Sequence, residues 1–301
     1  MQITANNPEL RSWISIAPDS EFPIQNLPFG IFETAQHGKR AGVRIGDFVL
    51  DLAQMSQFGY FYDLGFVSSD FSQDYLNPMM RRGKLAVRAL RNRISELLAT
   101  ANQSFRLNES QHVALLPVAN VEMCLPVQIG DYTDFYSSKE HATNVGTMFR
   151  DPNNALLPNW LHIPVGYHGR SSSVIPSGQD IHRPKGQTKP SEDQGPVFGA
   201  SKMIDFELEM AFVTFDGKPL GDSITTEEAE DYIFGMVLFN DWSARDIQKW
   251  EYVPLGPFLA KNFASSISSW IVSLDALQPF AVNTPNQNPE VLDYLKFEGK
   301  K

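Results

Sequence analysis

The chain has 301 residues, of which 42% are hydrophobic and 20% charged, and its net charge is −10. This length permits two domains or one large domain with a sizeable core. The acidic balance argues against nucleic acid or an anionic membrane as the main partner, because both are bound chiefly through Lys and Arg. The single cysteine, Cys124, excludes an intrachain disulfide and a Cys-rich zinc site, and together with the lack of a visible secretory signal it predicts a cytoplasmic protein. No apolar run is long enough to span a bilayer.

The first third of the chain predicts short strands followed by one amphipathic helix. Residues 29–33 and 41–51 are typical of strands joined by Gly-containing turns. Between residues 84 and 100, apolar residues recur at helical spacing, which predicts a single buried stripe. The stripe consists of Val87, Leu90, Ile94, Leu97 and Leu98. The basic residues around it are interpreted as a solvated outer face, since no aromatic residues interleave with them. These residues are Arg81, Arg82, Lys84, Arg88, Arg91 and Arg93.

A domain boundary is predicted near residue 120, which divides the chain into residues 1–120 and 121–301. Soon after it comes the polar segment Gly130–Gly146, which lacks the apolar periodicity of an ordinary surface helix. It offers carboxylates suited to Mg²⁺ or Ca²⁺, phenols that donate hydrogen bonds, and one imidazole. These side chains are Asp131, Asp134, Tyr132, Tyr136 and His141. If the segment is helical, Asp134 and His141 lie on one face; the alternative is a solvated loop.

Three further segments follow: an alternating stretch with three carboxylates, a capping box and an apolar run. Between Met203 and Thr214 the residues alternate as in a strand, with Asp205, Glu207 and Glu209 on one face. Two interpretations stay open for these carboxylates: a solvent-facing surface screened by water and salt, or a metal site. The Thr225–Glu228 segment is a capping box that predicts a short helix, and residues 234–239 predict a buried strand.

The buried strand leads directly into a polar segment that predicts a helix. Asp241, Arg245 and Gln248 are spaced i, i+4 and i+7, which places them on one helical stripe. Asp241 suits a metal site, whereas Arg245 and Gln248 supply donors for an anionic oxygen. Lys261 follows in an apolar stretch, where its amine either extends to solvent or stabilises developing negative charge.

Several long blocks resemble the fumarylacetoacetate hydrolase family, and the resemblance covers almost the whole chain. The blocks are Asp131–Ser138, His141–Gly146, Leu156–His162, Pro164–Arg170, Glu207–Phe212 and Asn240–Gln248. The resemblance implies a mainly β chain, with a small N-terminal SH3-like β-barrel followed by a mixed β-roll catalytic domain, in a homodimer. It also implies hydrolysis of the carbon–carbon bond of a small diketo acid, 4-fumarylacetoacetate, in tyrosine and phenylalanine catabolism.

The resemblance assigns roles to individual residues. It implies that Ca²⁺ is bound by Asp134, Glu207, Glu209 and Asp241. A second site, for Mg²⁺, is implied at Asp241, Lys261 and Ser265, where the family often has Thr instead of Ser. His141 matches the general base that activates water. Substrate contacts are implied for Tyr136, Arg150, Tyr167, Gln248 and Tyr252, and stabilisation of the oxyanion and the departing carbanion for Arg245, Gln248 and Lys261.

The chain departs from the family at its end. The family continues beyond the segment matched by Asp275–Phe280, through strands that supply a glutamate orienting the catalytic histidine and a substrate-binding threonine. Because this chain ends at Lys301, we expect both residues to be missing and strand edges to be left unpaired. Two alternative functions stay open: another metal-dependent hydratase, isomerase or decarboxylase of the same superfamily, and a catalytically inactive chain that binds metal or a full-length partner.

Overall fold

The computed structural model describes residues 1–297, and the last four residues, 298–301, lie outside this range. The first part of the chain is built on an antiparallel sheet with strand order β4-β3-β2-β1-β5. Its strands are β1 (Phe29–Glu33), β2 (Arg40–Ile45), β3 (Phe48–Asp51), β4 (Leu115–Pro117) and β5 (Glu122–Cys124). The strand prediction for residues 29–33 is confirmed, and residues 41–51 form a hairpin of β2 and β3. Gly46 allows this tight turn, because its φ of +50° is rarely adopted by other residues.

Four helices pack beside this sheet. They are α1 (Leu52–Gln57), α2 (Ser68–Phe71), α3 (Asn77–Met80) and α4 (Gly83–Leu98). Helix α4 confirms the predicted amphipathic helix, and all five residues of its predicted stripe are buried. The interpretation of its basic residues as a solvated face is wrong for Arg91, which is 1% exposed and donates to the carbonyls of Gln25 and Asn26. It is also wrong for Arg88, which donates to both oxygens of Asp275 at 2.7 Å.

The second part of the chain contains a mixed sheet and three small two-stranded sheets. The mixed sheet has the order β12-β13-β15-β8, with β16 also paired to β13. Its strands are β8 (Val174–Pro176), β12 (Leu208–Thr214), β13 (Ile233–Asp241), β15 (Ser265–Ile267) and β16 (Val272–Ser273). The small sheets pair β6 (Thr133–Phe135) with β7 (Gly166–His168), β9 (Lys185–Thr188) with β10 (Val197–Ala200), and β11 (Ile204–Asp205) with β14 (Ser243–Ala244). The helices are α5 (Lys139–Phe149), α6 (Arg245–Glu251), α7 (Leu259–Asn262) and α8 (Leu274–Leu277).

The two parts share one hydrophobic core. Phe29 in β1 exchanges backbone hydrogen bonds with Ile271, at 3.0 and 2.8 Å, and its ring lies 5.8 Å from the ring of Phe234 in β13. Sheets supply the framework, but helices occupy so many of the connections that the fold is mixed rather than mainly β. Within residues 1–297, no helix has the length and apolar character needed to cross a membrane.

Between residues 203 and 232, two predicted elements differ from the structure. The Thr225–Glu228 capping box forms both of its hydrogen bonds, but it closes a turn before a short 3-10 helix at Ala229–Tyr232 instead of opening an α-helix. The predicted strand at Met203–Thr214 is interrupted between β11 and β12. In β12 the side chains of Leu208, Met210 and Phe212 face outwards, whereas Glu209 faces inwards together with Ala211 and Val213. Glu207 lies just before β12 and is paired with Lys261, so the interpretation as a solvent-facing carboxylate surface is wrong for Glu207 and Glu209.

Candidate active site

Three carboxylates from three strands converge on one point. Asp134 in β6, Glu209 in β12 and Asp241 at the end of β13 each offer an oxygen, and these oxygens lie within 4.8 Å of one another. Glu209 pairs with Phe239, and Asp241 lies two residues further along the same strand, so both carboxylates share a sheet face. Because Asp134 is in a strand and His141 is in α5, the prediction that one helix carries both is wrong. The prediction of a helix that includes Asp241 is wrong for the same reason, since α6 begins at Arg245.

The crowding of these carboxylates changes their protonation. Burial, together with the charges of Asp134, Asp241 and Glu207, raises the pKa of Glu209 to about 8. Burial also raises the pKa of Asp241, and Lys261 opposes this effect only in part. At neutral pH the metal-free cluster therefore holds a proton on Glu209. Carboxylate oxygens at this spacing fit a hard divalent cation, whose charge removes the repulsion that favours that proton.

Glu207 lies beside this cluster in a different environment. Its Oε1 lies 2.6 Å from Nη1 of Arg245 and its Oε2 lies 2.8 Å from Nζ of Lys261. Burial alone would raise the pKa of Glu207, but the two cations outweigh burial and lower it. The resemblance implies that Glu207 is itself a metal ligand; in the structure it lies beside the cluster of Asp134, Glu209 and Asp241, with each of its oxygens paired to a cation.

Lys261 connects Glu207 to the cluster. It is 6% exposed, and its Nζ lies 2.6 Å from Oδ2 of Asp241, so the alternative that its amine extends to solvent is wrong. The register of β13 and β15 places Ser265 directly opposite Asp241, and the Ser265 hydroxyl lies 3.4 Å from Oδ1. The residues expected at the second metal site are therefore neighbours, with the Lys261 ammonium already paired to the carboxylates.

Two phenols donate hydrogen bonds into the cluster. The Tyr132 hydroxyl lies 2.7 Å from Oδ2 of Asp134, and the Tyr167 hydroxyl lies 2.8 Å from Oδ2 of Asp241. Burial, reinforced by the nearby carboxylates, raises the pKa of both phenols, so they stay protonated and act as donors. Tyr167 was expected to contact the substrate. In the structure its hydroxyl lies within hydrogen-bond distance of the carboxylates of Asp134 and Asp241.

His141 lies on an exposed turn of α5, near the start of the helix. Ser138 caps α5 by accepting a hydrogen bond from the His141 backbone N–H at 3.2 Å. The imidazole packs edge-on against the ring of Tyr136, with ring centroids 5.4 Å apart. Burial raises the pKa of Tyr136, with the charge of Glu207 adding to the effect while Arg150 opposes it. Tyr136 is therefore in contact with His141 and lies within electrostatic range of Glu207.

The remaining predicted site residues lie on or beside two helices. Arg245, the first residue of α6, donates from Nη1 to the side-chain oxygen of Gln248 at 3.0 Å, so the predicted proximity of these two residues is confirmed. Tyr252 follows the end of α6 and is exposed. Arg150 follows α5 and donates to the carbonyl of Ala155 at 2.9 Å.

Sequence reasoning missed one residue of the network, Ser243, and did not identify the partners of two others, Asp205 and Tyr132. Asp205 pairs with Arg245 at 3.0 Å, and the Ser243 hydroxyl donates to Glu207 at 3.2 Å. Tyr132 was noted as a donor but was given no place in the site. The period of a strand contains the signal for Tyr132, because a residue two positions before Asp134 lies on the same face. No comparable signal identifies Ser243, whose contact depends on how β11 and β14 pair.

Comparison with known proteins identifies the family. Residues 25–126 match the family model described as fumarylacetoacetase N-terminal, and residues 131–288 match fumarylacetoacetate (FAA) hydrolase C-terminal. A maleylpyruvate hydrolase from Sphingobium sp. SYK-6, solved with manganese(II) and pyruvate, is 16% identical with a TM-score of 0.47, covering 86% of this chain and 70% of that one.

Curated relatives match at much higher identity. Fumarylacetoacetase of Dictyostelium discoideum is 51% identical over 294 residues, which cover 96% of this chain and 69% of the relative. Fumarylacetoacetase of Homo sapiens is 52% identical over 286 residues, covering 94% of this chain and 68% of the relative. The Caenorhabditis elegans protein of the same name is 50% identical, covering 95% of this chain and 69% of the relative. The chain therefore belongs to the fumarylacetoacetase family.

Proposed function

We propose that the chain hydrolyses the carbon–carbon bond of 4-fumarylacetoacetate to give fumarate and acetoacetate, the last step of tyrosine and phenylalanine catabolism. The family supports this reaction, since fumarylacetoacetases are about half identical to this chain over nearly all of its length. The observation that carries the proposal is the cluster of Asp134, Glu209 and Asp241 beside two buried or half-buried cations. Hydrolysis of this bond needs a base for water and positive charge for two developing anions, and we propose His141 for the first role and Arg245 and Lys261 for the second.

The metal would be held by Asp134, Glu209 and Asp241, with Glu207 at its side. When bound, Ca²⁺ or Mg²⁺ would supply positive charge that polarises the carbonyl groups of the substrate. The carboxylates favour a hard cation with oxygen ligands, which is the basis for proposing these two metals. The second metal site, for Mg²⁺, is proposed at Lys261 and Ser265, next to Asp241.

The other residues act on the substrate and on water. His141 is exposed and takes a proton from water, whose oxygen then adds to the carbonyl carbon of the bond to be broken. The electron pair of that bond leaves with the acetoacetate carbon, which afterwards takes up a proton. Arg245, Gln248 and Lys261 stabilise the two anions, because preorganised donors lower the energy of developing charge. Tyr136, Arg150, Tyr167 and Tyr252 are proposed to contact the substrate.

The proposed reaction is tested by following the loss of fumarylacetoacetate absorbance with the 301-residue chain and with His141→Ala. Turnover by the wild-type chain that disappears in His141→Ala supports the proposal, provided that the two proteins have the same melting temperature. Equal turnover by both proteins would remove His141 from the role of base. No turnover by a folded wild-type chain in the presence of Ca²⁺ and Mg²⁺ would favour the catalytically inactive alternative.

We also propose a homodimer in which a second copy covers the outer face of β12 and β13. Residues more than half exposed form one apolar surface there, which is unusual for a monomer. The surface consists of Phe206, Leu208, Met210, Phe212 and Leu238. Sedimentation equilibrium should give a dimer for wild type and a monomer for Leu208→Glu. Leu220→Glu is the matched control, because Leu220 is fully exposed and lies outside this surface; a dimer that persists in Leu208→Glu would refute this placement.

Domain organisation is the third part of the proposal. We propose that residues 1–120 form the N-terminal SH3-like domain and that residues 121–301 form the β-roll catalytic domain. The five-stranded sheet that begins at Phe29 supports an N-terminal unit, although its edge strand β5 (Glu122–Cys124) extends this unit a few residues beyond residue 120, and all proposed metal ligands come later in the chain. Limited proteolysis that cuts first near residue 120 would support this division, whereas a first cut inside either unit would oppose it.

A further inference from the structure

We propose that Tyr132 is a positioning residue that orients the Asp134 carboxylate for metal binding, and that Gly169 is needed to seat the Tyr132 ring. This inference depends on the proposed metal site and adds two residues to it. From the sequence, Tyr132 was noted only as a hydrogen-bond donor, and Gly169 was given no role.

The hydrogen bonds around Asp134 make Tyr132 its main donor. The Tyr132 hydroxyl lies 2.7 Å from Oδ2 of Asp134, and the Tyr167 hydroxyl lies 3.1 Å from the same oxygen. Tyr167 has one hydroxyl proton, and Oδ2 of Asp241 is nearer to it, at 2.8 Å. The shorter distance favours donation from Tyr167 to Asp241, which leaves Tyr132 as the donor that holds Asp134.

The orientation of Asp134 then leaves one of its oxygens free. Among residues 1–297, no donor lies within hydrogen-bond distance of Oδ1 of Asp134, so this oxygen makes no competing hydrogen bond. A carboxylate fixed through one oxygen loses less rotational freedom when the other binds a metal. The Tyr132 hydroxyl therefore prepares Asp134 without contacting the metal itself.

The ring of Tyr132 is seated against a glycine on the neighbouring strand. Gly169 continues the ladder of β6 and β7, since its N–H donates to the carbonyl of Tyr132 at 2.9 Å. A Cβ atom at Gly169 would lie 2.0 Å from two carbons of the Tyr132 ring. Phe239 contacts the ring as well, with centroids 5.4 Å apart. Gly169 does not have a positive φ, so its lack of a side chain provides space for the ring rather than backbone freedom.

Calorimetric titration of the full 301-residue chain with Ca²⁺ tests the inference through two different variants. Tyr132→Phe keeps the ring and removes the hydroxyl, whereas Gly169→Ala keeps the hydroxyl and displaces the ring. We expect each variant to bind Ca²⁺ about 10- to 100-fold more weakly than wild type, the usual loss when a ligand loses its hydrogen-bonded support. Tyr60→Phe and Gly199→Ala should bind as wild type. Tyr60 donates to Gln111 in the N-terminal part, and a Cβ at Gly199 would meet nothing within 4 Å.

The melting temperature separates a positioning role from a purely structural one. We expect the increase in melting temperature on moving from EDTA to Ca²⁺ to shrink in Tyr132→Phe and Gly169→Ala. A residue that only supported the fold would lower both temperatures equally and leave the increase unchanged. Wild-type Ca²⁺ affinity in Tyr132→Phe would overturn the positioning role while leaving the metal site intact. If wild type itself bound neither Ca²⁺ nor Mg²⁺, the metal site would be refuted, and the role of Tyr132 with it.

Discussion

Glu207 and Glu209 lie two residues apart, yet their replacement should have opposite effects on stability. Glu209 is surrounded by carboxylates, which together with burial raise its pKa to about 8. Glu207 contacts Arg245 at 2.6 Å and Lys261 at 2.8 Å. In metal-free protein, Glu209→Gln should therefore increase stability at high pH, whereas Glu207→Gln should decrease it.

The magnitude for Glu209 follows from its pKa. A shift from 4.5 to about 8, at about 1.4 kcal/mol per unit, corresponds to about 5 kcal/mol. Because Glu209 is only half-buried, solvent screening reduces this to about 2 kcal/mol. The folded state binds the proton more tightly than the unfolded state between these two pH values. Wild-type stability is therefore lost as the pH rises from 4.5 towards 8, and is constant above 8 with respect to this group.

The assay is urea denaturation in EDTA across this pH range. Glu209→Gln should gain stability over wild type from about pH 4.5 upwards and reach a gain of about 2 kcal/mol above pH 8. Glu207→Gln should lose about 2 kcal/mol, because Arg245 and Lys261 each lose one of two carboxylate partners and keep only Asp205 and Asp241, respectively. Added Ca²⁺ should stabilise wild type but not Glu209→Gln. A Glu209→Gln protein that is less stable than wild type at pH 9 in EDTA would refute the electrostatic reasoning.

Three further predictions concern the same network and the contact between the two parts of the chain. Lys261→Met should lower the free energy of unfolding by about 3–5 kcal/mol in urea, because it leaves buried Asp241 unpaired; equal stability would contradict the buried pairing. In calorimetry, Ca²⁺ affinity should rise up to about tenfold per pH unit and level off near pH 8, because metal must displace the Glu209 proton; a flat profile between pH 6 and 8 would contradict this. Arg88→Met should cost about 2 kcal/mol by breaking its paired hydrogen bonds to Asp275, while Arg81→Met, at an exposed position, should cost little in the same urea assay.

Local patterns predicted the elements whose burial is decided within a single segment. The stripe of α4 is one example, since five apolar residues at helical spacing have only one way to be buried together. The same pattern did not predict Arg91, because its partners are backbone carbonyls of Gln25 and Asn26, far away in sequence. Asp241 was assigned to the wrong element for a related reason: strand β13 extends to it through pairing with Ser265 in β15 and a hydrogen bond to the carbonyl of Glu207.

Strand β12 shows where alternation alone stops being informative. A period of two separates Glu209 from Leu208 and Met210, but it does not say which face is buried. Inward carboxylates are tolerated here because Lys261 and Arg245 neutralise part of the charge, and the proposed metal would neutralise the rest. The orientation that places Glu209 inwards also places Leu208, Met210 and Phe212 outwards, where they need a partner surface to shield them from water. A one-residue shift in the register of β12 would exchange its two faces. The proposed metal site and the proposed dimer contact therefore both depend on the register of this one strand.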